Sequence, residues 1–164
     1  MQFNKYFLFL TIFLNQVLWC GFGGNTMIRP AGWVKNINRL QVGDLVKCYK
    51  LKDNQFSECK VSKWYIKREK TGWRVELDKE RRGKSGSKKE IIQVGADQLF
   101  YSLENGQWKK AQDLKSGEKL LRIDKGVVLV ERAYEVNEET FLFEIEVDDC
   151  HNYFASYSGV LVHD

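Results

Sequence analysis

The sequence is short of several things, and each shortage removes a class of protein. It has one proline in 164 residues, while 43% of its positions are hydrophobic. That excludes a collagenous or disordered chain and leaves room for one globular domain with its own core. The four cysteines are scattered and none stands in a C-x-x-C pair, so neither a disulfide-framework miniprotein nor a zinc knuckle is expected. Histidine occurs only at positions 151 and 163. His151, His163 and the cysteines show no metal-ligand spacing, so no metal and no cofactor is expected. No apolar run reaches the roughly 20 residues of a spanning helix, and no stretch beyond a turn or two keeps a 3.6-residue period. What is present is 13% aromatic residues and 13 glycines, a combination that favours strands joined by tight turns. The expected class is all-β.

Residues 1–19 carry a single charge, Lys5, ahead of the 14-residue apolar run YFLFLTIFLNQVLW. A short basic start before an apolar core of this length has the form of a signal peptide rather than of an anchor or a buried helix. The chain is therefore expected to be exported, that is secreted, periplasmic or membrane-associated. It would meet a membrane only through an uncleaved leader. The domain division is 1–19 for the leader and 20–164 for the rest.

Beyond the leader, short strands are expected at 45–51, 58–66, 73–77, 90–94, 99–103, 126–136, 141–147, 153–154 and 160–162. The polar, Gly- and Ser-rich stretch at 79–89 reads as a surface loop. Residues 60–90 hold 12 basic and 5 acidic side chains. Such a cluster either binds an anionic partner or forms a solvated hairpin whose lysines protect an edge. Nucleic-acid binding is not expected.

An internal repeat stands out at an offset of 74 residues. VKNINRLQVGDLV at 34–46 matches WKKAQDLKSGEKL at 108–120, aligning Leu40 with Leu114, Gly43 with Gly117, Asp44 with Glu118 and Val46 with Leu120. Each copy has the form L-x-x-G-[D/E] leading into a strand, with glycine supplying unusual backbone angles. Two copies point to a duplicated β-unit.

Four pieces in order carry a resemblance to a known family. They are C-G-F-G-G-N-T at 20–26, the two repeated turns, A-D-Q-L-F-Y at 96–101 followed by Trp108, and the closing C-H-N-Y-F at 150–154 with G-V-L-V-H-D at 159–164. Together they resemble the Hint superfamily, the autoprocessing domains of inteins, hedgehog proteins and bacterial polymorphic toxins, and the last of these most closely. The resemblance implies a pseudo-twofold, horseshoe-like β-fold whose ends meet at the active site. It also implies autocatalytic processing, in which the acyl group moves from a cysteine nitrogen to its sulfur and the upstream peptide is the domain's own substrate. The protein is expected to act once, as a monomer.

The resemblance assigns Cys20 as nucleophile, and a thiol suits the task as nucleophile and leaving group. The family's Thr-x-x-His motif falls on Gly95-Ala96-Asp97-Gln98, so Gln98 stands where the histidine is usual. Glutamine can polarise a carbonyl by donating a hydrogen bond, but it cannot exchange a proton near pH 7. His151 and His163 match two family histidines, and Asp164 replaces the asparagine that follows the second. With the sequence closing at Asp164, full splicing is not expected. Counting back from Thr26, the family pattern places its cysteine at Gly21, one residue past Cys20. A one-residue slip turns a side chain to the opposite face of a strand. Two alternatives stay open: a bulge lets Cys20 act, or Gly21 has replaced the nucleophile and Gly21→Cys would be needed to restore it.

Two functions follow from different classes. One is a degenerate processing domain limited at most to cleavage before Cys20; the other is a secreted β-domain that binds a partner through residues 60–89. Acylation of Cys20 as a lipoprotein would be a third. Independently, Asp53-Asn54 lies midway between Cys48 and Cys59. A two-residue hairpin loop would set those cysteines opposite each other within disulfide range.

Overall fold

The computed structural model describes residues 20–29, 34–79 and 88–164. The leader at 1–19 and the centre of the basic loop at 80–87 lie outside the described residues. Fourteen strands form one antiparallel sheet system. In chain order these are β1 (Phe22–Gly23), β2 (Met27–Ile28), β3 (Lys35–Asn36), β4 (Leu45–Lys50), β5 (Gln55–Glu69), β6 (Gly72–Lys79) and β7 (Lys88–Val94). They continue as β8 (Leu99–Ser102), β9 (Gln107–Lys110), β10 (Lys119–Leu121), β11 (Val127–Val136), β12 (Thr140–Val147), β13 (Asn152–Ala155) and β14 (Val160–His163). No α-helix occurs among the described residues, so the all-β expectation holds. The period of the sequence shows none of β2, β3 and β9, while β10 follows the second repeated turn as expected. Two-residue strands such as β2 and β3 are too short to display alternation, and they exist here because neighbours pair with them.

Spatial order places the first and last described strands inside the system rather than at its edges. It runs β3-β2-β13-β14-β8-β10-β11-β6-β7-β1-β12-β5-β4, with β9 beside β8. β1 is wedged between β7 and β12, pairing Phe22 with both Val94 and Phe143. β14 lies between β13 and β8, pairing Val162 with Phe100. β13 and β14 are apolar without alternation because both faces are covered. Tyr153, Ala155, Val160 and Val162 enter the main core, while Phe154 and Leu161 enter a smaller cluster with Tyr49 and Leu121.

The repeat is real at the level of atoms. Residues Ile37–Arg39 and Ala111–Asp113, 74 apart, each form a single 3-10 turn, and Ile37 and Ala111 are both fully buried. Leu40 N–H donates to Ile37 O as Leu114 N–H does to Ala111 O. Gly43 and Gly117 take φ of +99° and +85°, values open to glycine and strained for other residues. Gly43 N–H donates to Val61 O while Val61 N–H returns to Asp44 O, and Gly117, Val130 and Glu118 repeat the exchange. Even the charges correspond, since Lys35 pairs with Asp44 at 3.0 Å and Lys109 with Glu118 at 2.7 Å.

The Cys48–Cys59 disulfide is present, with a Cα–Cα distance of 5.9 Å, but the hairpin differs from expectation. Lys50 pairs with Gln55, so the turn spans 51–54, and Cys48 lies opposite Ser57 while Val46 lies opposite Cys59. The bridge therefore runs diagonally between non-opposed positions. Asn54 is the turn residue with positive φ, at +54°, a conformation that asparagine tolerates. Placing it last in a longer loop shifts the pairing by two residues. β5 then continues well past the expected 58–66, because its second half leaves β4 and pairs with β12 from Val61 to Glu69.

Five cations of the basic hairpin are paired with carboxylates from neighbouring strands and their connecting turn. Lys63 pairs with Glu146, Lys67 with Glu144, Arg68 with Glu139, Arg74 with Glu138 and Lys89 with Glu131. The acidic partners come from β11, β12 and the turn between them, which the sequence alone does not set beside the cations.

Candidate functional site

Phe22 fixes the start of the site. Its fully buried ring sits edge-on to Phe100 and Tyr153, with centroids 6.4 and 6.3 Å away, an arrangement favourable for aromatic pairs. This anchor holds the preceding residues in place. Gly21 O accepts from Gly95 N–H at 3.0 Å, and the Cys20 thiol, 8% exposed, lies 3.5 Å from the carbonyl oxygen of Asp97.

Gln98 joins the two ends of the domain. Its Oε1 accepts from Gly21 N–H at 2.9 Å and its Nε2 donates to the His163 carbonyl at 2.8 Å. The side chain is 1% exposed. A neutral amide is suited to this position because one partner is a donor and the other an acceptor. Its own backbone is tied at both groups, N–H to Gly95 O and O to Ala111 N–H, so the second repeat positions it directly.

Beyond Gln98 lies a second cluster. Asp164 Oδ2 accepts from Val147 N–H at 2.7 Å, His163 Nδ1 lies 3.3 Å from Asp164 Oδ1, and His151 Nδ1 lies 3.5 Å from Asp164 Oδ2. The two imidazoles are near parallel with centroids 6.3 Å apart, and Trp108 stands edge-on to His163 at 5.1 Å. His151 takes φ +51° in the turn before β13, and its side chain is largely exposed. The structure thus brings Cys20, Gln98, His163, Asp164 and His151 into one connected set.

Electrostatics divide the set in two. Burial pushes the Cys20 thiol up to about 11, and the negative charges of Glu144 and Asp97 add to the rise against Lys67 and Lys110. The Asp164 carboxylate holds His163 above the ordinary histidine value, with burial opposing. Burial alone would lift Asp164, but His163, the Val147 amide and the charge of His151 together hold it below the usual carboxylate range. Glu144, Lys67 and Lys110 are the site residues that sequence reading missed. They lie on β12, β5 and β9, and nothing in their spacing says which face of each strand meets Cys20.

The choice between positions 20 and 21 acquires a physical basis here. Gly21 has φ +111°, and a Cβ there would lie 3.0 Å from the Phe143 carbonyl oxygen and 3.3 Å from Leu142 Cβ. A side chain at 21 is therefore strained both sterically and in its backbone, and Cys20 is the thiol this site accommodates. Gln98 nevertheless contacts the amide of Gly21, one peptide past the bond that an acyl shift at Cys20 would break. Among the described residues the only cluster with metal-ligand proximity is Cys48, Cys59 and Cys150, and two of these form the disulfide.

An all-β antiparallel fold of this kind, with Gln98 bridging the first and last described segments, is the Hint type shared with inteins. The solution structure of a bacterial intein-like domain from Clostridium thermocellum superposes with a TM-score of 0.76 at 25% identity, covering 89% of this chain and 99% of that one. The DnaB intein from Synechocystis sp. PCC 6803 gives 0.70 at 18% identity, covering 88% and 97%. The gp41-1 intein gives 0.67 at 20%, covering 88% and 98%. No curated protein matches the chain. The pretoxin HINT domain model matches residues 27–164, and the chain belongs to that family.

Proposed function

We propose that this protein is an exported autoprocessing domain of reduced power, whose residual chemistry is cleavage of the peptide bond before Cys20. The observation that carries this reading is the placement of Gln98. It occupies the position of an acid-base histidine, is tied to Gly21 and His163, and supplies no exchangeable proton near neutrality. The reaction would begin with attack of the Cys20 sulfur on the preceding carbonyl, giving a thioester that water or an external thiol resolves. His163 and Asp164 would orient the far end of the site. The disulfide supports export, since such bridges persist in oxidising compartments. The matched 3-10 turns and glycines support a pseudo-twofold arrangement of the two halves.

With the thiol at about 11, the thiolate fraction at pH 8 is on the order of 10⁻³ and grows about tenfold per pH unit. A folded reporter fused upstream of Cys20 is therefore expected to be released slowly. Release should accelerate roughly tenfold per unit between pH 8 and 10, and further with a strong external thiol. Cys20→Ala should stop it. Equal release from wild type and Cys20→Ala would remove Cys20 from the chemistry.

A further inference from the structure

Cys150 lies in the turn between β12 and β13, partly buried against the main core, and its sulfur is within 4.8 Å of both sulfurs of the Cys48–Cys59 bridge. Nothing in the processing chemistry uses it. A free thiol this close to a disulfide is placed to exchange with it, because exchange proceeds by direct attack of a thiolate on one sulfur of the bridge. The turn that carries Cys150 also carries His151, whose Nδ1 faces Asp164 and whose carbonyl accepts the Asp164 N–H at 3.2 Å. Asn152, the next residue, holds Tyr49 next to Cys48 through two hydrogen bonds, accepting Tyr49 N–H at 2.8 Å and donating to Tyr49 O at 3.0 Å. Cys150 and His151 therefore share one short stretch of backbone, and Asn152 ties that stretch to the strand of Cys48.

We propose that Cys48, Cys59 and Cys150 form an intramolecular thiol–disulfide exchange centre, in which migration of the bridge to Cys150 moves the turn that carries His151. In the step, the Cys150 thiolate attacks one bridge sulfur and a new S–S bond forms to Cys150. The Cys48–Cys59 bond breaks, and the displaced cysteine leaves as a thiolate that takes up the proton Cys150 gave up. Two sulfurs remain oxidised and one reduced, so no external oxidant or reductant is consumed. The Cys150 thiol is itself held above its ordinary value, by burial first and by Asp149 in addition, with Lys50 opposing. The exchange should therefore be slow at neutral pH and faster in base. Its bearing on processing rests on the function proposed above, whereas the exchange itself does not.

Disulfide mapping of the full chain separates the two. Trypsin cuts after Lys47, Lys50, Lys52 and Lys60 and so puts each of the three cysteines on its own peptide. In a glutathione buffer that fully oxidises the wild type, Cys48→Ser should carry a 59–150 bridge and Cys59→Ser a 48–150 bridge. Both should keep a β-rich circular dichroism spectrum. In the wild type, whose free thiols are Cys20 and Cys150, alkylation should also label Cys48 or Cys59 in a fraction of molecules, and that fraction should appear about tenfold faster per pH unit between 7 and 8. Cys150→Ser should abolish that labelling. Recovery of Cys150 and the remaining bridge cysteine as free thiols in both single variants, or labelling of Cys150 but never of Cys48 or Cys59 in the wild type, would overturn the proposal. The wild-type labelling decides the matter even if a variant fails to fold. A His151 ring resonance that is identical in the 48–59 and 59–150 forms would refute the coupling while leaving the processing activity of Cys20 untouched.

Discussion

At the scale of single residues, the closing His163-Asp164 pair shows how local contact sets protonation. His163 is raised above its ordinary value of 6.5, so its proton contributes stability that is full below pH 6.5 and is lost as pH rises through the raised value. Asp164 is lowered from 3.8, so its contribution is full above that pH and is lost as pH falls through the lowered value. The pair is thus strongest between those two ordinary values. Proton NMR titration should find His163 above 6.5 in the wild type and lowered in Asp164→Asn, since burial is then opposed only by the backbone carbonyl of residue 164, 2.7 Å from His163 Nδ1. An unchanged midpoint would mean that Asp164 is not its partner. Cys20, Gln98, His151, His163 and Asp164 were each legible as residue types within spaced motifs. Glu144 was not, because a carboxylate at an alternating position of a charged strand looks the same whether it faces solvent or a buried thiol.

At the scale of elements, the duplicated turn makes a quantitative demand. A Cβ on Gly43 would meet only the Lys60 side-chain terminus at 4.0 Å, and one on Gly117 would meet nothing within 4 Å. Alanine at either position should therefore carry only the backbone penalty of a positive φ, about 1–2 kcal/mol, and the two losses should agree closely. Gly21→Ala adds the close approach to Phe143 and Leu142 and should cost more than either. Urea unfolding of the three variants measures this, and a Gly21→Ala loss no larger than the other two would show that the opening strand tolerates a side chain. The repeat was readable because both copies need glycine at the same point. The β4–β5 register was not, because the turn residue that decides loop length takes its conformation only once the strands are paired. The diagonal disulfide follows from that register, while its membership was already given by the two cysteines flanking the turn.

At the scale of the whole molecule, Gln98 is the clasp between the opening and closing strands. Gln98→Leu would leave Gly21 N–H and His163 C=O buried without partners, at about 1–3 kcal/mol for each. Gln98→His, whose neutral ring keeps one donor and one acceptor, should lose less. Equal stability of the leucine variant and the wild type would show that the clasp contributes nothing to closure. The sequence by itself determined the β class and the duplicated turn, which rest on composition and on spacing along the chain, and its resemblance to Hint domains supplied the family and the candidate site residues. Only the tertiary structure decided that Gln98 holds the amide of Gly21 rather than that of Cys20, that position 21 has no room for a side chain, and that Cys150 lies against the disulfide. It also decided that the basic hairpin meets its own carboxylates across β11 and β12. Each of these depends on which face a strand presents to a neighbour distant in sequence, and that is fixed by long-range pairing and core packing rather than by local pattern.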